Sequence, residues 1–152
     1  MRDARPEEAV AIAALIRIAF QSQAKLYEDD TLPPLFETAE TVRAAMTAGI
    51  VLVAEESGRI VGSVRGDLAD GTCRVGRLVV EPDVQGQGVG RVLASAIEQR
   101  FAGARRFEIF TGHRSAGPLH LYTSLGYAEF RRENVGERLD LVFLEKTGPG
   151  AR

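Results

Sequence analysis

The segment Gln85-Gly86-Gln87-Gly88-Val89-Gly90-Arg91 places alternate glycines between two apolar stretches of different period. Before it runs the β-branched Leu78-Val79-Val80, which Pro82 ends because proline lends no N–H to a sheet ladder. After it, Val89, Val92, Leu93, Ala96, Ile97 and Phe101 recur at helical spacing. A glycine turn from strand to helix leaves the first helical N–H groups free, with the positive end of the helix dipole behind them. With no Cβ in the way, a ligand can touch that backbone. The chemistry this favours is anion binding, and phosphate fits best.

Spacing separates the ways such a turn is used. A nucleotide P-loop needs Lys and then Ser or Thr after its last glycine, and here Arg91 and Val92 follow Gly90. A dinucleotide fingerprint needs G-x-G-x-x-G close behind the strand. Here the order is G-x-G-x-G and the turn lies several residues past Val80, although Glu108 stands about where a ribose-binding acid would. A turn using glycine for its φ angles alone is the plain alternative. Other groups with chemistry are scattered. His113 offers an imidazole, the side-chain class suited to taking a proton near neutral pH, or is a surface loop histidine. Glu81 and Glu108 could act through a water, or be solvated strand carboxylates. Neither His113 nor His120 falls in a recognisable ligand spacing, so no metal is expected. Cys73, the single cysteine, has no His nearby and reads as a packing residue.

Gln85-x-x-Gly88-x-Gly90 after the Val80-x-Pro82 strand end resembles the Q/R-x-x-G-x-G/A pyrophosphate loop of the GCN5-related N-acetyltransferases. A second block, Leu121-Tyr122-Thr123-Ser124-Leu125-Gly126-Tyr127, is similar to that family's L-Y-x-x-x-G-F/Y, and a strand-like run separates the two. The resemblance covers nearly the whole chain and implies an acetyl-CoA-dependent N-acetyltransferase. It places the donor's pyrophosphate on the N–H groups of Gln85 to Arg91 and its pantetheine arm along Leu78, Val79 and Val80. A main-chain N–H near Val80 would face the thioester oxygen. Tyr122 would protonate the leaving thiolate, since a phenol with pKa about 10 keeps its proton at neutral pH; its plain role is to pack helix on sheet. Ser115, where the family often has Asn, would cap the following helix and bond the coenzyme. Some relatives carry a basic Glu where this chain has Arg74, which leaves His113, Glu81, Glu108 or water to deprotonate the amine. The acceptor expected is a primary amine of a small molecule or peptide, transferred to directly because no nucleophile is placed. The missing Glu also admits a non-catalytic acyl-CoA-binding or sensing domain.

These residues need a scaffold, and 152 residues with 45% hydrophobic and 26% charged suit a single core. We expect one domain over 1–146 and a frayed tail over 147–152. The net charge of −2 offers no basic surplus for nucleic acid or an anionic membrane. Arg131-Arg132 could serve a small anion, and the acidic run Glu28-Asp29-Asp30 a cationic amine. A homodimer stays open. The lone cysteine and the absence of a signal-like run fit a reducing cytoplasm.

In order, Met1–Arg5 is short and polar, and only the resemblance implies a clipped edge strand there; the patterns predict a helix opened by Pro6 and running to about Phe20, and irregular chain from Gln21 to Glu37, which resists regular structure. The resemblance implies that this last region lines the acceptor side of the cleft. A helix capped by Thr38 and ending at Gly49 follows. Ile50–Glu55, Arg59–Asp67 and Thr72–Glu81 form a meander around turns at Ser57-Gly58 and Ala69-Asp70-Gly71. After the glycine-loop helix, Phe107, Ile109 and Phe110 make a strand forced parallel to Leu78–Val80. A short helix over Ser115–Ser124 and a hairpin around Asn134-Val135-Gly136 close the chain. The fold class is therefore α/β (α+β), a mixed and mostly antiparallel sheet with a central parallel pair flanked by about four helices.

Overall fold

In the computed structural model, which describes residues 1–151, seven strands form one sheet in the order β1-β2-β3-β4-β5-β7-β6. The strands are β1 (Arg2–Asp3), β2 (Ile50–Glu56), β3 (Arg59–Ala69), β4 (Thr72–Val80), β5 (Arg106–Gly112), β6 (Ala128–Asn134) and β7 (Asp140–Thr147). Every pairing is antiparallel except β4 with β5. That pair flanks a helical crossover, α4 (Val89–Arg100), which compels the parallel sense.

Both faces of the sheet are covered at β2, whose sequence is accordingly an unbroken apolar run. Val51 and Val53 join α1 (Ala9–Ala19) and α3 (Ala39–Ala48) on one face, while Leu52 and Ala54 join α4 on the other. Glycine lets α4 approach closely, because a Cβ on Gly62 would lie 2.8 Å from Leu93 and one on Gly66 3.0 Å from Phe101. α3 has the expected Thr38 cap, whose Oγ1 accepts from Thr41 N–H at 3.2 Å.

The N-terminal helical stretch Pro6–Tyr27 has mean hydropathy 1.3 and is long and apolar enough to cross a membrane. Here Ala9, Ile12, Ala13, Leu15 and Ile16 are buried against the sheet, each large side chain contributing about 1.5–3 kcal/mol, while Val10 and Ile18 on the other side stay exposed.

Three expectations change. Gln21–Tyr27 is a helix, α2, rather than irregular chain, because Tyr27 is buried with Leu32 and Leu139. Counting it and α5 (Ala116–Ser124), the described residues hold five α-helices, in keeping with the about four expected to flank the sheet. The parallel pairing joins Thr72, Cys73 and Arg74 to Arg106, Phe107 and Glu108, not to Leu78–Val80. Finally, the tail is tied down: Gly148 N–H donates to Arg105 C=O at 2.7 Å and Gly150 N–H to Ala104 C=O at 2.8 Å. Arg152, the last residue of that expected tail, lies outside the described residues.

Candidate active site

A fork in the sheet organises the site. β4 and β5 pair over three residues each and then part, so from Val75 to Val80 β4 has a strand neighbour only on the β3 side. A β-bulge accompanies the parting. Ser63 pairs with Val79 but Arg65 with Gly76, which leaves one extra residue on β4. Arg77 takes up that extra residue in the left-handed region, with φ 47°. The bulge also reverses which residues face α4. Cys73 and Val75 face it before the bulge, Leu78 and Val80 after it, and Val79 turns to the α1 side.

Backbone direction then follows from one bond. Glu81 N–H donates to Val61 C=O on the β3 side at 2.7 Å, so the N–H and C=O of Val80 point the other way, into the fork. Gln85 Nε2 donates to that Val80 carbonyl at 3.3 Å and draws the following loop across the fork's end.

The glycine loop has the shape an anion needs. Gly86 and Gly88 have φ of 83° and 85°, and a Cβ on either would meet nothing within 4 Å. Gly88 is the N-cap of α4 and brings no side-chain cap, and the first helical bond is Val92 N–H to Gly88 C=O. The N–H groups of Gly88, Val89, Gly90 and Arg91 thus have no acceptor among the described residues and face open space at the positive end of the helix. Gly90 differs: a Cβ there would sit 3.5 Å from Leu121 and 3.7 Å from Val80, in ordinary contact. Leu121 therefore packs α5 beside the loop. Gln87 is exposed, and Arg91 Nη2 donates to Ser124 Oγ at 2.6 Å.

Tyr122 is 6% exposed and packs in the α4-side core, its ring 6.1 Å from that of Tyr127. Its hydroxyl has no protein partner among the described residues, yet no buried side-chain oxygen or nitrogen lacks one. The hydroxyl therefore reaches accessible space while the ring is enclosed. Burial raises its pKa well above the ordinary phenol value.

Ser115 and His113 are placed differently from expectation. Ser115 is 2% exposed and makes no cap bond; its Oγ donates to Gln23 Oε1 at 2.6 Å and lies 2.7 Å from Tyr27 Oη. Tyr27 Oη in turn accepts from Arg114 N–H at 2.8 Å and rests on Gly112, where a Cβ would come within 2.1 Å of it. Ser115 Oγ is thus spent on holding α2 against the end of β5, and its side chain is not open to a coenzyme. His113 Nδ1 accepts from Asp140 N–H at 2.9 Å. The Asp140 carbonyl also lies 3.3 Å from that nitrogen, so Nδ1 is turned onto the backbone of β7 and is not presented to an amine.

The other charged candidates are paired. Arg74 meets Asp67 at 3.2 Å on an exposed surface, Glu108 meets Arg106 at 3.5 Å, and Glu81 lies 4.0 Å from Arg59 on the α1 side. Glu28 meets Arg138 at 3.3 Å, while Asp29 Oδ1 accepts from Thr31 N–H at 2.8 Å. Arg131 pairs with Glu133 and Arg132 with Glu129 on the exposed β6. Sequence reasoning passed over Glu37, a buried carboxylate between Arg65 and Arg77, because the three are far apart in the chain and match no short motif.

The comparisons with known proteins agree with this geometry. The profile of the acetyltransferase (GNAT) domain matches residues 47–129. The chain belongs to the GNAT acetyltransferase family. It is 30% identical over 168 aligned positions to the L-amino acid N-acyltransferase MnaT of Escherichia coli K12, covering 99% of this chain and 98% of that one. A shorter match, 44% identical over 63 residues, covers 40% of this chain and only 22% of N-acetyltransferase 14 of Danio rerio. Among solved structures, the Salmonella typhimurium acetyltransferase yncA with acetyl-CoA superposes with TM-score 0.75 at 25% identity, over 96% of this chain and 91% of that one. A phosphinothricin acetyltransferase of Sinorhizobium meliloti has the same fold, with TM-score 0.79 at 21% identity over 98% and 88% of the two chains. This GNAT protein is accordingly an N-acetyltransferase whose co-substrate is acetyl-CoA.

Proposed function

We propose that this enzyme transfers the acetyl group directly from acetyl-CoA to the primary amine of a small molecule or peptide at the β4–β5 fork. The observation that carries the reading is the juxtaposition of an uncapped, glycine-lined helix N-terminus with a strand that has lost its neighbour. The N–H groups of Gly88 to Arg91 hold the donor's pyrophosphate, with the loop from Gln85 to Gln87 wrapped around it. The backbone of Leu78 to Val80 receives the pantetheine arm as an added strand, and the Val80 N–H, pointing into the fork, polarises the thioester carbonyl. As the amine nitrogen bonds to that carbon the C–S bond breaks, and Tyr122 gives its proton to the departing sulfur. The proton lost by the amine passes to water, since the Nδ1 of His113 is already engaged. Ser115 stands behind the site as a brace.

Acetyl-CoA and CoA should therefore raise the melting temperature, and thiol should be released when a panel of amines is added. A melting shift with no thiol release from any amine would favour a non-catalytic acyl-CoA sensor. No shift with either nucleotide would remove the cradle. The buried, unpaired Cys73, whose thiol burial pushes up to about 12, supports a cytoplasmic setting.

A further inference from the structure

We propose that Arg65 and Arg77, braced on Glu37, bind the carboxylate of the acceptor, so that the amine acetylated is the α-amino group of a free amino acid. The inference rests on the fork being the transfer site. Glu37 is 3% exposed, and both its oxygens are used: Oε2 by Arg65 Nη1 at 2.5 Å and Oε1 by Arg77 Nε at 3.2 Å. Its main-chain oxygen takes Arg17 Nη1 at 2.7 Å. One carboxylate thus faces two guanidiniums, with a third on the same residue's main-chain oxygen, and the cluster keeps an excess of positive charge.

The remaining donors point outward. Arg65 Nε and Nη2 and Arg77 Nη1 and Nη2 have no protein acceptor among the described residues, and no buried side-chain nitrogen lacks a partner. Those nitrogens are therefore open to solvent, although the two side chains are only 23% and 21% exposed. Fixed stems with open N–H tips match a planar carboxylate, because the donors are already oriented before it arrives.

The location ties the pair to acyl transfer. Arg77 is the bulge residue, on the stretch of β4 that has parted from β5. It precedes Val80 by three residues, about 10 Å along a strand. Arg65 and Arg77 lie on the sheet face opposite α4, so they approach the fork from the side away from the coenzyme loop. An acceptor with its carboxylate there can present an amine one carbon away to the fork. A peptide N-terminus, whose carboxyl is an amide, lacks the group this pair recognises.

The test compares the proteinogenic L-amino acids with their carboxamides, by acetylation kinetics and by calorimetric titration of the CoA-loaded enzyme. The expected result is a kcat/KM about 10- to 100-fold higher for the free acids, the size of a charged hydrogen bond. Arg77→Gln and Arg65→Lys should shrink that ratio at least tenfold, mainly through the KM of the acid. Equal handling of acid and carboxamide by the wild-type enzyme overturns the proposal whether or not any variant folds, as does an unchanged ratio in a folded Arg65→Lys enzyme. If no amine releases thiol, the transfer reading falls. The titration still judges the carboxylate site, which fails if acids and carboxamides bind alike.

Discussion

Tyr122 and His113 show how one hydrogen bond decides what a titratable side chain can do. The Tyr122 hydroxyl has no protein partner among the described residues, and burial raises its pKa well above the usual phenol range. It therefore stays protonated across pH 6 to 10 and should impose no alkaline limb of its own. Tyr122→Phe keeps the ring's packing and removes the donor, so fold and CoA affinity should survive while kcat falls by about 10²- to 10⁴-fold. A variant with full turnover would strip Tyr122 of the acid role. His113 has the opposite situation, with Nδ1 taken by Asp140 N–H. His113→Ala should leave the acidic limb of the pH–rate profile in place, because that limb then reports the amine itself. It should lower stability by about 1 kcal/mol through the lost bond. Disappearance of the limb in His113→Ala would return the base role to the imidazole.

At the level of elements, local chemistry was plain in the sequence and long-range placement was not. The strand before Pro82, the helix after Gly90 and the Thr38 cap follow from propensity and period, and each forms where the pattern puts it. Ser115 is the instructive failure. Its place before α5 suggested a cap, but Tyr27 and Gln23, far away in the chain, claim its hydroxyl. The same long-range packing turned the stretch before Glu28 into α2, despite the polar and proline-rich sequence around it. The loop glycines divide similarly. Gly86 and Gly88 need a positive φ, whereas Gly90 does not and has room for a methyl. Gly88→Ala should thus cost about 1 kcal/mol from backbone strain. Gly90→Ala should fold normally, and Gly88→Glu should lose the melting shift given by CoA. Equal destabilisation by alanine at 88 and 90 in thermal melts would contradict this division of roles.

Across the whole molecule, two ion clusters tie together elements that are far apart in the chain. Glu8 ties the start of the helical segment to Arg2 of β1, and Arg2 holds its carboxyl down to about 2. Glu37 links the segment before α3 to β3 and β4. Burial by itself would push the Glu37 carboxyl up, yet Arg65, helped by Arg77, holds it below the ordinary carboxylate value. A carboxylate depressed in the folded state adds stability above its unfolded pKa, about 4.3, and that stability is lost as pH falls through the lower folded value. The melting temperature should therefore hold from neutrality to about pH 5 and fall as the pH drops below about 4. Glu37→Gln leaves both guanidiniums without their anion. It should lower stability at pH 7 by an amount at the lower end of about 3–5 kcal/mol, because the guanidinium tips already reach water. As the pH falls through its lowered folded value the wild-type carboxyl takes up a proton itself, so the difference between the two proteins should narrow in acid. A gap in melting temperature that stays constant from pH 7 to pH 3 would show that Glu37 acts through packing rather than charge.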